Sequence, residues 1–183
     1  MSDAELTLRR ATSADIPFIM ATERLPGNDT LVGRWEDAKH RDTMADERHV
    51  YFVASDGRAP IGFAIIRDWG VPERVTKILR VAVATPGQGI GRRMVGAVLD
   101  AIFTETAAHR VFLGLFVGND RAQRAYAAAG LVAEGVARGN AFLNGEPRDQ
   151  VIMAILRPEW AASRGHGSMT GTSEKIGTVP FSR

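Results

Sequence analysis

Apolar residues recur along this chain with two different periods, and the switches between them mark the elements. Ile90, Met94, Val98 and Ile102 repeat every fourth residue, with Val95, Leu99 and Phe103 on the adjoining track, which predicts a long amphipathic helix from 90 to about 107. Leu6-Thr7-Leu8-Arg9 alternates and predicts a first strand, and Thr12 or Ser13 then caps a helix with Asp15 in its first turn, running to about Glu23. After a Leu25–Asp29 loop, a mostly polar stretch over 30–47 predicts a second helix, with Leu31, Val32, Trp35 and Met44 as its buried contacts. Val50–Ala54 and Pro60–Ile66 flank Asp56-Gly57 and form the clearest hairpin in the chain. Thr76–Val83 is a further strand, and Val111–Val117 a buried one. A helix over 119–129 follows, ended by Gly130 at a position that favours positive φ. Two last strands, near 131–138 and 149–157, flank the turn Asn144-Gly145-Glu146-Pro147. Arg157-Pro158 ends the ordered pattern. Residues 161–183, rich in Gly, Ser and Thr, read as a flexible tail behind a domain spanning 1–160.

Composition narrows this picture. A chain of 183 residues is long enough for one well-buried α/β domain and too short for two comfortable ones. No run of 18 apolar residues is present, so no segment reads as membrane-spanning. The acidic start Met1-Ser2-Asp3-Ala4-Glu5 lacks the build of a signal peptide, which makes a cytoplasmic protein the expectation. With no cysteine, the chain has neither disulfides, nor thiolate metal sites, nor a cysteine acyl-enzyme. Its formal charge is +2, with acids interspersed among the arginines, and no basic stripe interleaved with aromatic residues suggests nucleic acid.

Two stretches carry candidate chemistry. In Arg80-Val81-Ala82-Val83-Ala84-Thr85-Pro86-Gly87-Gln88-Gly89-Ile90-Gly91-Arg92-Arg93, a strand runs into three alternating glycines and then the long helix. The first N–H groups of a helix lack intrahelical partners and carry the positive end of its dipole, and glycines let a phosphate approach them. The Lys-Ser/Thr pair of a P-loop is absent, and Gly-x-Gly-x-Gly is not the dinucleotide pattern. A glycine turn that only caps a core helix remains an equal reading of these residues by themselves. The second stretch is Val117–Leu131. Asn119 stands at the N-cap position of its helix, and Tyr126 lies seven residues on, on nearly the same face and about 10 Å along the axis. Ala122, Ala125 and Ala129 leave room for a close neighbouring helix. Singly, Asn119 reads as a cap and Tyr126 as core.

In order and spacing, the two stretches together resemble the signature of the GNAT N-acetyltransferases. Val81-Ala82-Val83 and Gln88-Gly89-Ile90-Gly91-Arg92 match its acyl-CoA motif, and Asn119 with Tyr126 before Gly130-Leu131 matches its second half. Two departures stand out: Pro86 at the first motif position has no N–H, and the connection from Val83 is about two residues short. The closing hairpin is similar to that of the RimJ/RimL-like branch. The resemblance implies an α/β fold of GNAT type: a mixed, mostly antiparallel sheet of about seven strands, flanked by about four helices, with splayed central strands. It implies acetyl-CoA as co-substrate, bound by Val81, Ala82, Val83, Gly87, Gln88, Gly89, Ile90, Gly91, Arg92 and Asn119, with no metal. Its pantetheine would pair with the backbone of Val81 and Val83, and its pyrophosphate would sit on the N–H groups of Gly87 to Arg92. A primary amine would attack the thioester directly in a ternary complex. Tyr126 would be the general acid for the departing thiolate, and a backbone N–H near Val83 would polarise the carbonyl. The acceptor expected is a protein N-terminus or a small molecule, with neither nucleic acid nor membrane as partner, and dimerisation, common in such families, makes a homodimer one expectation. No carboxylate lies between Ile78 and Val83; Asp68, Glu73 and His49 read either as water-mediated bases or as merely exposed residues, and no base is assigned. A catalytically degenerate acyl-CoA sensor is the alternative.

Overall fold

A computed structural model describes residues 6–28, 32–87 and 89–165. In chain order the elements are β1 (Thr7–Arg10), α1 (Ile16–Glu23), α2 (Asp37–Ala45), β2 (His49–Ser55), β3 (Pro60–Arg67), β4 (Val75–Val83), α3 (Ile90–Glu105), β5 (Arg110–Phe116), α4 (Asp120–Ala128), β6 (Val132–Leu143), β7 (Glu146–Leu156) and α5 (Arg157–Gly165), with a 3-10 turn at Ser13–Asp15. The strands make one seven-stranded sheet in the order β1-β2-β3-β4-β5-β7-β6. Every neighbouring pair is antiparallel except β4 with β5.

The fourfold apolar spacing does form the long helix. Met94, Val95, Val98, Leu99, Ile102 and Phe103 of α3 are buried on one face of the sheet, against Ile78 of β4 and Val111, Leu113 and Leu115 of β5, and Ile90 at the start of the helix is buried too. The opposite face carries a smaller cluster, in which Ile19 of α1 meets Tyr51, Phe63, Ile65 and Ala82. Side chains alternate between faces along each strand, so the α3 contacts of Ile78 and Leu113 put Lys77 and Gly114 on the other side.

A bulge changes that alternation in β4. Ile65 faces Arg80 and Ile66 faces Ile78, which leaves Leu79 as an extra residue. Leu79 and Arg80 therefore both turn to the α1 side, where Leu79 joins the smaller cluster and Arg80 meets Glu23. Without the bulge, a guanidinium would face the apolar core under α3.

The two strands at the middle of the sheet separate after three residue pairs. Val75, Thr76 and Lys77 face Arg110, Val111 and Phe112, and beyond them β4 and β5 do not pair. On its other side, β4 stays joined to β3 as far as Val83. Ala84 N–H donates to Ile61 O (2.8 Å), so by antiparallel alternation Ala82 also bonds β3 while Val81 and Val83 turn their backbone groups into the gap.

Three boundaries differ from those read in the sequence. The second helix covers only Asp37–Ala45, Leu31 lies outside the described residues, and residues 32–36 form an irregular approach. The final hairpin is longer than expected, and β6, one of the two edges of the sheet, is exposed along nearly all its length with register shifts at Ala133/Gly135 and Ala137/Ala141. The chain also continues past the expected end as a fifth helix, because Pro158 occupies the first turn of α5, where its missing N–H costs nothing. Arg157 donates to the carbonyls of Phe103 (2.8 Å), Thr106 (2.7 Å) and Ala108 (2.7 Å), satisfying acceptors at the end of α3. Trp160 stacks on Phe103 at 5.1 Å and donates to Asp100 Oδ1 (2.7 Å). Residues 161–165, assigned by sequence to the tail, complete this helix; 166–183 lie outside the described residues. Ending the chain after Leu156 is expected to lower its stability by about 3 kcal/mol relative to ending it after Gly165. Denaturant melts of the two truncations measure that difference, and equal midpoints would make α5 a passive appendage.

Candidate active site

The gap between β4 and β5 opens into a cleft of about 630 Å³ that passes through the sheet. The first helical turn of α3 and the face of α4 close one side. The segment around Asn28, Val32 and Gly33 and the β6–β7 hairpin close the other.

Of the residues read from sequence, Val81, Ala82, Val83, Gly87, Gly89, Gly91, Arg92, Asn119 and Tyr126 line this one cleft. Gly87 (φ +116°) and Gly89 (φ +70°) adopt left-handed backbone, and no heavy atom lies within 4 Å of where a Cβ would stand on either. The N–H of Arg93 is taken by Gly89 O (3.0 Å) and that of Ile90 by Gly87 O (3.2 Å), which folds the loop onto the helix start. Ile90 does not join the lining, and its side chain is buried. Gln88 lies outside the described residues. Pro86 stands in the wall without closing it. Arg121 and Arg124 of α4 add to Arg92 on this side, which is therefore suited to phosphates.

Asn119 does cap α4: its Oδ1 accepts from Ala122 N–H (3.2 Å), which leaves the amide NH2 for the cleft. Gly130 has φ +100°, as the helix end requires. Tyr126 packs against the main core and lines the cleft. Burial pushes its phenol up to about 12, with Arg121 opposing, so the hydroxyl keeps its proton at any ordinary pH. Relative to an unperturbed phenol, that shift adds about 3 kcal/mol to full proton transfer. Hydrogen bonding to a developing negative charge suits this group better than outright donation.

The structure adds residues that the sequence reading missed. Glu23, the last residue of α1, is fully buried and ion-paired with Arg80, itself 8% exposed on the cleft wall. Trp35 N–H donates to Glu23 Oε2 (3.2 Å), His40 Nε2 lies 3.4 Å from the same oxygen, and the Arg80 guanidinium stacks 4.3 Å from the Trp35 ring centre. Burial alone would raise the Glu23 carboxyl; His40, Arg80 and the Trp35 N–H outweigh it and hold it below the ordinary carboxylate range. Asn28 donates to Val83 O (3.1 Å) and Thr22 O (3.0 Å), tying the end of β4 to α1. Across the cleft, Gln150 lies over Gly114, where a Cβ would stand 2.5 Å from Gln150 Oε1, and Asn140 Nδ2 donates to that oxygen at 2.8 Å. Pairs so distant in sequence leave no local pattern to find.

The candidate bases do not reach this site. Asp68 is ion-paired with Arg48 and Arg67, His49 with Asp46, and Glu73 does not line the cleft. Among the described residues no carboxylate lines the cleft, and no cluster of His, Asp and Glu could hold a metal ion. No helix among them is long and apolar enough to cross a membrane.

Comparison with known proteins bears on the same residues. The model of the acetyltransferase (GNAT) family matches residues 19–131. The chain is 25% identical over 170 residues to spermidine N(1)-acetyltransferase of Vibrio cholerae, covering 86% of this chain and 96% of that protein. It is 37% identical over 73 residues to the probable N-acetyltransferase YjcK of Bacillus subtilis, 40% of each chain. Among solved structures, that of spermidine N-acetyltransferase from Vibrio cholerae in complex with CoA and spermine has a TM-score of 0.75 at 24% identity, covering 85% of this chain and 98% of that one.

Proposed function

The chain belongs to the acetyltransferase (GNAT) family, and from that premise we propose that acetyl-CoA lies along β4 while a small-molecule amine enters from the opposite face of the sheet. The protein is an acetyl-CoA-dependent N-acetyltransferase. What carries the placement is the separation of β4 and β5 after Lys77 and Phe112, with Val81 and Val83 presenting backbone groups to the gap. The pantetheine arm pairs with those groups as another strand would. Asn28 already occupies Val83 O, so the N–H of Val83 and the backbone of Val81 are the groups left to the cofactor. The pyrophosphate sits at Gly87, Gly89 and Gly91, with Arg92 beside it.

In the reaction, the neutral amine attacks the thioester carbonyl carbon. The C–N bond forms, the C–S bond breaks, and its electron pair goes to sulfur. The proton lost by the amine nitrogen ends on that sulfur, and Tyr126 steadies the charge there by hydrogen bonding. A backbone N–H of β4 polarises the carbonyl. With no cysteine in the chain and no serine lining the cleft among the described residues, direct transfer in a ternary complex is favoured over an acyl-enzyme. The small-molecule acceptor is supported by relatives of nearly the same length that are named for spermidine, and nothing comparable supports a protein N-terminus.

Thermal melts test the cofactor site. CoA or acetyl-CoA at 100 times its Kd is expected to add about 2.7 kcal/mol of stability, and ATP at the same concentration much less. A cooperative melt unmoved by either CoA species would remove the reading's support.

A further inference from the structure

Both faces of the cleft are positive, and only one of them has phosphates to receive. On the α3 side, Arg92, Arg121 and Arg124 stand where the cofactor's phosphates would lie. On the acceptor side the charged lining residues are Lys77 and Arg80. Arg80 is compensated by Glu23. Lys77 is not: it makes no ion pair within 4 Å among the described residues, and its Nζ lies 5.7 Å from the centre of the Phe112 ring, at the point where β4 and β5 part. The charged groups around it are Arg67, which repels it, and Asp68, which Arg48 and Arg67 already hold. Burial and Arg67, only partly opposed by Asp68, press its ammonium toward the neutral form, a cost that a bound anion would relieve. A second cation, Arg148, lies over the Phe116 ring at 5.6 Å, on the strand that borders the same side.

Three of the four described acids between residues 36 and 46 are held by neighbouring side chains. Glu36 is paired with Arg24, Asp37 with Arg41, and Asp46 with His49. A substrate with several ammonium groups would meet Lys77 with no carboxylate in the described lining to offset it.

We infer that the acceptor is an amine carrying a carboxylate on the same small molecule, an amino-acid-like compound whose carboxylate is received by Lys77, and that polyamines are disfavoured. This rests on the reading of the cleft as an acetyltransferase site. Lys77 is then a specificity residue: it selects the acceptor by its anion and has no part in bond making. The like charge that attracts the carboxylate also repels a second ammonium, so one side chain supplies both selection and rejection.

The test compares matched acceptors with saturating acetyl-CoA, following thiol release: phenylalanine against phenethylamine, 4-aminobutyrate against butylamine, and spermidine. In at least one pair the carboxylated amine is expected to exceed its plain partner, and spermidine, by about tenfold or more in kcat/KM. Lys77→Met keeps the reach over Phe112 without the charge, and should collapse that ratio about tenfold, mainly through KM. Lys77→Arg should retain it, and serves if the Met variant does not fold. Spermidine as the best wild-type acceptor, or no carboxylate preference in either pair, overturns the proposal without any variant. So does an unchanged ratio in Lys77→Met. Failure of every amine while CoA still raises the melting temperature overturns this inference alone, whereas loss of the CoA effect strikes the cofactor site itself.

Discussion

Replacing Tyr126 by Phe is expected to lower kcat by about 100-fold while leaving the melting temperature and the affinity for acetyl-CoA close to those of the parent. The ring packs against the main core, and Phe preserves that packing. Only the hydroxyl is lost, and with it the hydrogen bond proposed to form to the sulfur as the C–S bond breaks. Because burial holds the phenol up at about 12, Tyr126 stays protonated at any ordinary pH. A fall of kcat on the alkaline side below about pH 10 would thus belong to another group, and should persist in the Phe variant. Steady-state kinetics at saturating acetyl-CoA decide the matter. A variant within twofold of the parent would take Tyr126 out of the chemistry.

Glu23→Ala is expected to cost about 3–5 kcal/mol, because it leaves the Arg80 guanidinium buried without its counter-charge. For a domain of this size that corresponds to a fall in melting temperature of roughly 10 °C or more. Replacing the pair together, Glu23→Leu with Arg80→Met, should recover most of the loss, since both charges then leave the interior. The pH dependence has a defined sign. The folded-state pKa of Glu23 is depressed, so its contribution is fully present above the ordinary carboxylate value of about 4.5 and is lost as pH falls through the lower native value. Denaturant melts between pH 6 and 3 measure this slope. In Glu23→Gln the slope should be shallower, and an equal slope would show that other carboxylates govern acid unfolding.

What was legible in the sequence, and what was not, follows from how far apart the partners stand. The α3 helix could be read because Ile90, Met94, Val98 and Ile102 state its period locally. The Asn119 cap and the Gly130 end could be read because each acts within four residues of itself. The glycine loop needed its order relative to Asn119 and Tyr126, since its own spacing does not distinguish a phosphate site from a helix cap. Glu23 and Arg80 were illegible: they are 57 positions apart, and Arg80 reaches Glu23 only because of a bulge at Leu79 that no glycine or proline announces. Lys77 looked like an ordinary strand lysine, and its place in the cleft depends on the strands parting one residue later, a tertiary event. Pro158 was misread as a stop because a proline that ends one element and a proline in the first turn of the next have the same sequence signal.

The irregular edge strand β6 bears on edge-to-edge pairing between sheets. Twelve residues long and mostly exposed, it carries Val132, Val136 and Phe142 on its surface, and a regular strand of that kind would be a template on which another chain could add. Its pairing slips at Ala133/Gly135 and again at Ala137/Ala141. Gly139 sits there at φ +59°, with its N–H turned back to the Asp149 carboxylate at 2.8 Å. Such bulges interrupt the outward row of donors and acceptors, which disfavours an incoming strand in continuous register. The device lies in backbone geometry, at the edge of the sheet farthest from β1.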